Sequence, residues 1–263
     1  MTASDFKYDS IYLSDLGYII CQFDESSGFS SSPAGVELTF HQKPARHGRE
    51  FMIAGTEYEE PFQTTFSICK PCGEDFTANE MEFLLRWLNR AEYHEFILRD
   101  DEWGETIFYG TFNVEKVEFC GRVVGFNLQF ITNSPYGWLT QEQDSFEISE
   151  AGGTMLVYDK SSVTGYIYPD ELVITCHADG DLIITNSADD RTTQIKNCTD
   201  GEVLTIDKYV STVESSTGRN VLNDFNFKFP RLVNTMASSA NLWTFSLPCS
   251  VELKYTPARK VVF

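Results

Sequence analysis

One stretch of the chain has the periodicity of an amphipathic helix. Residues 77–80 form a capping box, in which the Thr77 hydroxyl can accept from the Glu80 N–H while the Glu80 side chain reaches back. Apolar residues then recur at positions i, i+3, i+4 and i+7, and Trp87 widens the stripe. This pattern predicts a helix near residues 78–90 that packs its apolar stripe on a sheet; the stripe consists of Met81, Leu84, Leu85 and Leu88.

Most of the remaining pattern is typical of β-strands. Residues 126–130 alternate apolar and polar side chains, and a change of parity earlier in residues 106–131 predicts a long hairpin with a bulge near residues 115–116. In the second half, short apolar or alternating runs are separated by turn residues about every 8–12 positions, which favours an antiparallel sandwich. The predicted strands of that half are 172–176, 182–184, 192–198, 203–206, 225–229 and 249–255.

A break in the pattern divides the chain. Pro135 cannot donate to a central ladder and Gly137 relaxes the backbone, and residues 139–150 are polar and acidic with little periodicity. We therefore predict two domains in a mainly β protein, a β-barrel or β-sandwich with one helix over residues 1–140 and an antiparallel β-sandwich over residues 141–263.

Charge narrows the classes of function. The 263 residues include 20 Lys and Arg against 39 Asp and Glu, a net charge of −19, and both halves are acidic. A chain without a basic face is unsuited to gripping nucleic acid or anionic lipid, although its acidity would suit a surface that DNA passes without sticking. No apolar stretch approaches the ~20 residues of a membrane span, and the first residues lack the pattern of a signal peptide.

Motifs for catalysis, cofactors or metals are weak. There is no glycine-rich phosphate loop, no Gly-x-Ser-x-Gly elbow and no His-Glu-x-x-His pattern. We predict no catalytic residue, no cofactor and no metal, and interpret the seven scattered cysteines as reduced thiols. Two alternatives stay open: a redox or zinc role for Cys69 and Cys72, and hydrolysis by a pair of carboxylates that only the fold could bring together.

One short stretch reverses the local sign of charge. The residues from Lys43 to Arg49 contain Arg46 and His47 as well, with a Pro and a Gly among them, between strand-like segments. One interpretation is an exposed loop with solvated charges. The other is a projecting arm that docks on the acidic surface of a neighbouring copy, since heterologous contacts of this kind close into rings. Lys43, Arg46, His47 and Arg49 are therefore our candidate oligomer-interface residues.

The order of motifs resembles the distal tail protein family of long-tailed bacteriophages. In the first half, Gly48-Arg49 is followed by residues 55–60, the helix with Leu85-Arg86-Trp87-Leu88, an acidic turn and a hairpin that begins at Phe108. In the second half, residues 223–232 and 255–259 resemble the galectin-like sandwich of that family. The likeness covers most of the chain, and it rests on the order of the motifs more than on any single one.

The resemblance implies a structural role in the virion. Such proteins form a homo-hexameric ring through their N-terminal domains, with one face on the tail tube protein and the other on the tail-tip hub, while the C-terminal sandwiches project outward and can carry receptor-binding proteins. The implied location is the virion tail tip, after synthesis in the cytoplasm of the bacterial host. The genome would pass through the lumen without specific binding, and no membrane partner is expected. The alternative is a receptor- or carbohydrate-binding module of the tail tip, which requires a concave, aromatic-lined site in residues 150–263.

Overall fold

The computed structural model describes residues 5–21, 23, 37–45, 48–57, 61–99, 106–209 and 212–260. The chain divides into two compact units, Met1–Trp138 with Lys260–Phe263, and Leu139–Arg259. Each unit has its own hydrophobic core. Antiparallel sheets dominate both units, and the described residues contain one α-helix. The prediction of a mainly β protein with one main helix is confirmed.

The first unit is an open sheet with a helix. Its main sheet runs in the order β2-β1-β7-β8-β9-β6-β3, and β10 pairs with β8, so the described strands do not close into a barrel. β4 and β5 form a separate two-stranded sheet. The elements are β1 (Asp5–Tyr8), β2 (Ile11–Tyr12), β3 (Ile19–Cys21), β4 (Glu37–Ala45), β5 (Gly48–Glu57), β6 (Gln63–Cys69), α1 (Ala78–Leu88), β7 (His94–Arg99), β8 (Ile107–Phe119), β9 (Arg122–Thr132) and β10 (Gly137–Trp138).

Helix α1 begins and ends close to where its sequence predicts. The Glu80 N–H donates to the Thr77 hydroxyl at 3.4 Å, and the Thr77 N–H donates to the Glu80 carboxylate at 2.7 Å, so the capping box is formed. Leu84, Trp87 and Leu88 are buried on the face that meets the sheet. The Trp87 ring stacks on Phe6 with centroids 5.9 Å apart, which anchors the helix to β1.

The predicted hairpin of residues 106–131 is present as β8 and β9. Its two-residue turn, Cys120 and Gly121, has φ values of 51° and 76°, the left-handed pair that a type I′ turn requires. The register shifts between Val117 and Glu118. Val117 pairs with Gly125 and Glu118 pairs with Val123, so the extra residue is Val124 of β9. The bulge predicted at residues 115–116 of β8 is therefore wrong, because the irregularity lies on the partner strand.

The second unit is an antiparallel sandwich of two sheets. The five-stranded sheet has the order β11-β21-β14-β17-β18, the four-stranded sheet has the order β12-β20-β15-β16, and β13 pairs with β19. Buried side chains of both sheets share one core, as the alternating pattern of these strands predicts. The elements are β11 (Glu142–Ile148), β12 (Thr154–Tyr158), β13 (Gly165–Ile167), β14 (Glu171–Cys176), β15 (Gly180–Asn186), β16 (Arg191–Cys198), β17 (Val203–Asp207), β18 (Thr212–Ser215), β19 (Leu232–Asn234), β20 (Ala240–Phe245), β21 (Cys249–Tyr255) and β22 (Ala258–Arg259).

Two segments of this unit differ from their predicted structure. Residues 142–148, expected to be irregular, form β11 because they pair with β21 along their whole length. Residues 225–229, expected to be a strand, make one isolated bridge between Phe225 and Ile195, and Phe227 has φ 58°. A strand cannot continue through a left-handed residue, so the alternating phenylalanines lie in an irregular segment instead.

Candidate functional site

The described residues of the basic stretch chosen from the sequence lie at the adjacent ends of β4 and β5, which pair up to Ala45 and Gly48. Lys43 is in β4 opposite Glu50, and Arg49 is in β5 opposite Pro44. Arg46 and His47 lie outside the described residues. The backbone therefore brings Lys43 and Arg49 to the same end of one hairpin, beside the two residues that join its strands.

The hairpin is long, and among the described strands it pairs with no other sheet. Its nine-residue strand β4 has a length of roughly 30 Å at about 3.3 Å per residue. Isolated two-stranded hairpins are marginally stable in water, because they have no third strand or helix to cover a face. A hairpin of this kind is suited to gaining its stability from a surface on another molecule.

The described residue contacts include a serine, histidine and carboxylate cluster on the second unit. The Ser250 hydroxyl donates to Glu147 at 2.7 Å, and Nε2 of His177 lies 2.6 Å from the same hydroxyl. In a hydrolytic triad the acid holds the histidine nitrogen opposite the nucleophile. Here Glu147 accepts from the serine and also lies 3.4 Å from Nε2 of His177, the same nitrogen that faces the serine. The acid therefore does not hold the opposite nitrogen of the histidine, as a triad requires. The arrangement is a surface hydrogen-bond network between β11, β21 and the residue that follows β14.

The two cysteines of the sequence motif are in different surroundings. Cys69 ends β6 beside Cys21 of β3, while Cys72 is exposed in a 3₁₀ turn with φ 63°. Burial and the neighbouring Cys69 raise the pKa of Cys21 to about 12. A redox cysteine needs a lowered pKa, so the Cys21 thiol beside Cys69 is unsuited to act as a redox partner. Among the described residues no group of three or more His, Cys, Asp or Glu side chains is arranged to hold a metal ion.

A second group of thiols lies inside the sandwich. Cys176 of β14 is opposite Cys249 of β21, and Cys198 of β16 belongs to the facing sheet; all three are buried. A hydrogen bond to Cys198 and burial raise the pKa of Cys176, and burial raises that of Cys249 to about 12. These thiols pack as small apolar side chains of the core.

The acidic turn that begins β15 uses its carboxylates to hold the backbone. The Asp179 carboxylate accepts from the N–H of Asp200 at 2.8 Å, and the Asp181 carboxylate accepts from the N–H of Asn197 at 3.1 Å. Both oxygens thereby stabilise the adjoining turn at the end of β16. The geometry accounts for these aspartates through local structure.

A cavity of about 250 Å³ in the second unit was not predicted from the sequence. It combines two aromatic–proline pairs with two core side chains and two charged residues, and its lining is mostly apolar. Tyr166 lies beside it, 5.7 Å from Tyr168 between ring centroids, and carries the Arg231 guanidinium at 4.2 Å. In the sequence, this cavity is indicated only by its two aromatic–proline dipeptides, Tyr168-Pro169 and Phe229-Pro230. The lining residues are Tyr168, Pro169, Leu172, Ile206, Asp207, Lys208, Phe229 and Pro230.

Comparisons with known proteins identify proteins of phage tails. Residues 1–134 match the model of a phage tail protein N-terminal domain, and residues 136–255 match that of a phage tail C-terminal domain. Among solved structures, the fold is similar to that of Dit (gp 19.1) of phage SPP1, described as a paradigm of the hub adsorption apparatus in phages that infect Gram-positive bacteria. The TM-score is 0.65 at 9% sequence identity, covering 96% of this chain and 98% of SPP1 Dit. No curated protein matches. No helix in the described part of the chain is long and apolar enough to cross a membrane.

Proposed function

Because the chain belongs to the phage tail protein family, we propose that it is a ring-forming adaptor at the tail tip, which joins the tail tube to the tail-tip hub. The observation that carries this proposal is the likeness to SPP1 Dit over both units, 96% of the chain. The family places the protein in the virion tail. A hexameric ring, made by the first unit, and assembly after synthesis in the host cytoplasm are part of the proposal.

The hairpin β4–β5, which pairs with no other described strand, supports a self-associating first unit. A marginal two-stranded sheet with Lys43 and Arg49 at its turn end is suited to an acidic neighbour, and each copy of this chain carries a net charge of −19. Since the hairpin of one copy and the acidic surface of the next are different patches, the contact is heterologous and closes into a ring when the rotation permits. The second unit then remains available for the receptor-binding apparatus.

The oligomeric mass of the purified full-length chain tests the adaptor proposal. Six chains of 29.9 kDa give about 180 kDa, and mass photometry with negative-stain imaging should show hollow particles of this mass, alone or with the tail-tube protein. A chain that stays monomeric at high micromolar concentration, and is also single in isolated tails, contradicts the proposal.

Charge reversal at the hairpin turn tests the docking contact within that ring. We expect Arg46→Glu with Arg49→Glu to raise the dissociation constant of the ring at least tenfold and to leave the circular dichroism spectrum unchanged. Arg86→Glu with Lys116→Glu is the matched control, because it makes the same change of charge at exposed positions of α1 and β8. Equal oligomer mass for both double variants would remove the hairpin from the interface while leaving the ring proposal standing.

The cavity favours a second candidate function, a receptor- or carbohydrate-binding module. Its Tyr168 and Phe229 rings supply faces for stacking, and Asp207 and Lys208 supply polar groups. Chemical-shift changes of the protein on addition of neutral mono- and disaccharides test this function. We expect Tyr168→Ala to abolish any such binding and Tyr158→Ala, at an exposed tyrosine of the other sheet, to leave it intact. Absence of shifts with every sugar removes this candidate.

A further inference from the structure

Among the described strands, the five-stranded and four-stranded sheets of the sandwich have four edge strands, and three of these are protected against pairing with another strand. The edge of β16 is covered by the chain itself, since the Lys196 N–H donates to the Asp224 carbonyl at 3.0 Å and the Asn226 N–H donates to the Gln194 carbonyl at 3.1 Å. β11 carries three carboxylates and β18 carries an exposed glutamate. Natural proteins use charges and covering loops in this way to block edge-to-edge association.

β12 has none of this protection. Its five residues, Thr-Met-Leu-Val-Tyr, contain no charge, no proline and no glycine, and among the described strands it pairs with β20 alone. Leu156 is 44% exposed and Tyr158 is 57% exposed. Such a strand combines high β-propensity with an open row of backbone groups, which is the pattern of a pairing site.

Hydrogen bonds at both ends of β12 establish which residues face outward. The Phe245 N–H donates to the Gly153 carbonyl at 3.0 Å, and the Asp159 N–H donates to the Ser239 carbonyl at 2.9 Å. Odd-numbered residues therefore bond to the neighbouring segment, and the backbone groups of Thr154, Leu156 and Tyr158 point away from it. The Tyr158 carbonyl accepts from the Tyr255 hydroxyl at 2.8 Å, which agrees with this outward direction. The second lone pair of that carbonyl oxygen can still accept from an N–H of another strand.

The outer surface next to this edge is free of charge. Leu156 is opposite Leu242, Tyr158 is opposite Ala240, and Thr154 is opposite Thr244 on β20. Charged residues are depleted at the centres of protein interfaces. In a chain with a net charge of −19, this edge is one where two copies could meet without opposing carboxylates.

We propose that β12 pairs with β12 of a second copy, antiparallel about a two-fold axis through Leu156. The register is self-complementary: each Leu156 lies opposite its own equivalent, and Thr154 of each copy lies opposite Tyr158 of the other. This register pairs outward-facing backbone groups with each other, and it joins Leu242 and Leu156 of both copies into one apolar row across the joint. The contact belongs to the second unit and is separate from the ring contact proposed for the first.

The proposed β12–β12 contact is small, and this determines how it can be detected. A joint of two five-residue strands buries well below the ~1,200 Å² of a standard stable interface, so isolated chains should associate weakly. Two rings that meet face to face would make several such two-fold joints at once, and the effective concentration then strengthens the contact. Chemical capture is therefore the appropriate measurement, because it records a weak contact with residue resolution.

Single-cysteine cross-linking tests both the contact and its register. The full-length chain with the exposed Cys72 and Cys120 changed to Ser is the background. Opposite residues of a hydrogen-bonded antiparallel pair have Cα atoms about 5.5 Å apart, within reach of a short bis-maleimide. We expect Leu156→Cys to cross-link to itself at least tenfold faster than Thr244→Cys, an exposed position one strand inward. A mixture of Thr154→Cys and Tyr158→Cys should give the mixed dimer faster than either protein alone gives its own.

The same experiment can overturn the proposal. Equal rates at positions 156 and 244 mean that β12 does not pair with itself, and this is also the outcome if the edge is reserved for a strand of another tail protein. Self-cross-linking of Thr154→Cys as fast as that of Leu156→Cys contradicts the register. Repeating the measurement with Arg46→Glu and Arg49→Glu separates the two contacts, because loss of the ring should slow the reaction at position 156 without changing the order of the rates.

Discussion

Arg219→Met removes the cation that faces a buried carboxylate of the second unit. The Glu202 side chain is fully buried, and Nε of Arg219 donates to it at 2.6 Å; Nη1 of Arg219 also pairs with Asp224 at 2.8 Å. Removing one partner of a buried pair costs about 3–5 kcal/mol, because the other charge stays buried. Arg219 keeps some solvent contact, and we therefore expect a loss at the lower end of that range, about 3 kcal/mol.

The dependence on pH identifies the mechanism of this loss. Burial alone would raise the pKa of Glu202, but hydrogen bonds from Ser215, Arg219 and the Thr199 N–H outweigh it and keep the pKa below its usual value. In the native chain the ionised group thus stabilises the fold above about pH 4.3, and this contribution is lost as the pH falls through the lowered pKa. Without Arg219 burial raises the pKa of Glu202, so the deficit is largest near pH 7 and shrinks as the carboxyl group becomes protonated.

Urea unfolding followed by circular dichroism, from pH 7 down to pH 4, measures both effects. The matched control is Arg122→Met, since that side chain is 74% exposed and its partner Asp75 is also at the surface. Exposed pairs contribute about 0–1 kcal/mol, so the control should change little. Equal losses for the two variants, or a loss for Arg219→Met that stays constant with pH, would refute the assignment of a buried, Arg219-dependent charge.

Further predictions concern the first unit. Thr77→Ala removes the helix cap and should lower the free energy of unfolding by about 1 kcal/mol, whereas Thr77→Ser should retain most of it; both are measured by urea unfolding. Leu84→Ala leaves a cavity under α1 and should cost about 2–5 kcal/mol, seen as a lower melting temperature. Iodoacetamide at pH 8 should modify the exposed Cys72 at least tenfold faster than Cys21, whose pKa is raised to about 12, as mass spectrometry would show. Equal modification rates would contradict the raised pKa of Cys21.

Elements held by local chemistry were predictable from the sequence. The capping box at Thr77 and Glu80 needs only neighbouring residues, and it forms as predicted. The turn at Cys120 and Gly121 joins strands that are adjacent in the chain, so alternation and a glycine were sufficient to find the hairpin. The alternating core strands of the sandwich are predictable for the same reason.

Elements that depend on distant partners were not. β11 looks irregular in the sequence because carboxylates occupy it, and it becomes a strand through pairing with β21, about 100 residues later. Phe225 and Phe227 alternate like strand residues, but the segment crosses the edge of β16 and Phe227 turns left-handed there. The cavity needs Tyr168 and Phe229 from separate segments, and alternation within one strand cannot show that they meet.

The pairing of β11 with β21 also constrains the order in which the protein matures on the ribosome. The first unit can begin to fold while the second is still being translated, but β11 must wait for β21. At 5–20 residues per second, that wait lasts roughly 5 to 20 s. During this time the nascent β11 segment has no partner strand. Its Glu142, Asp144 and Glu147 keep it hydrated and repel the same segment of nascent chains on neighbouring ribosomes. The carboxylates that obscured this strand in the sequence thus act as gatekeepers during synthesis.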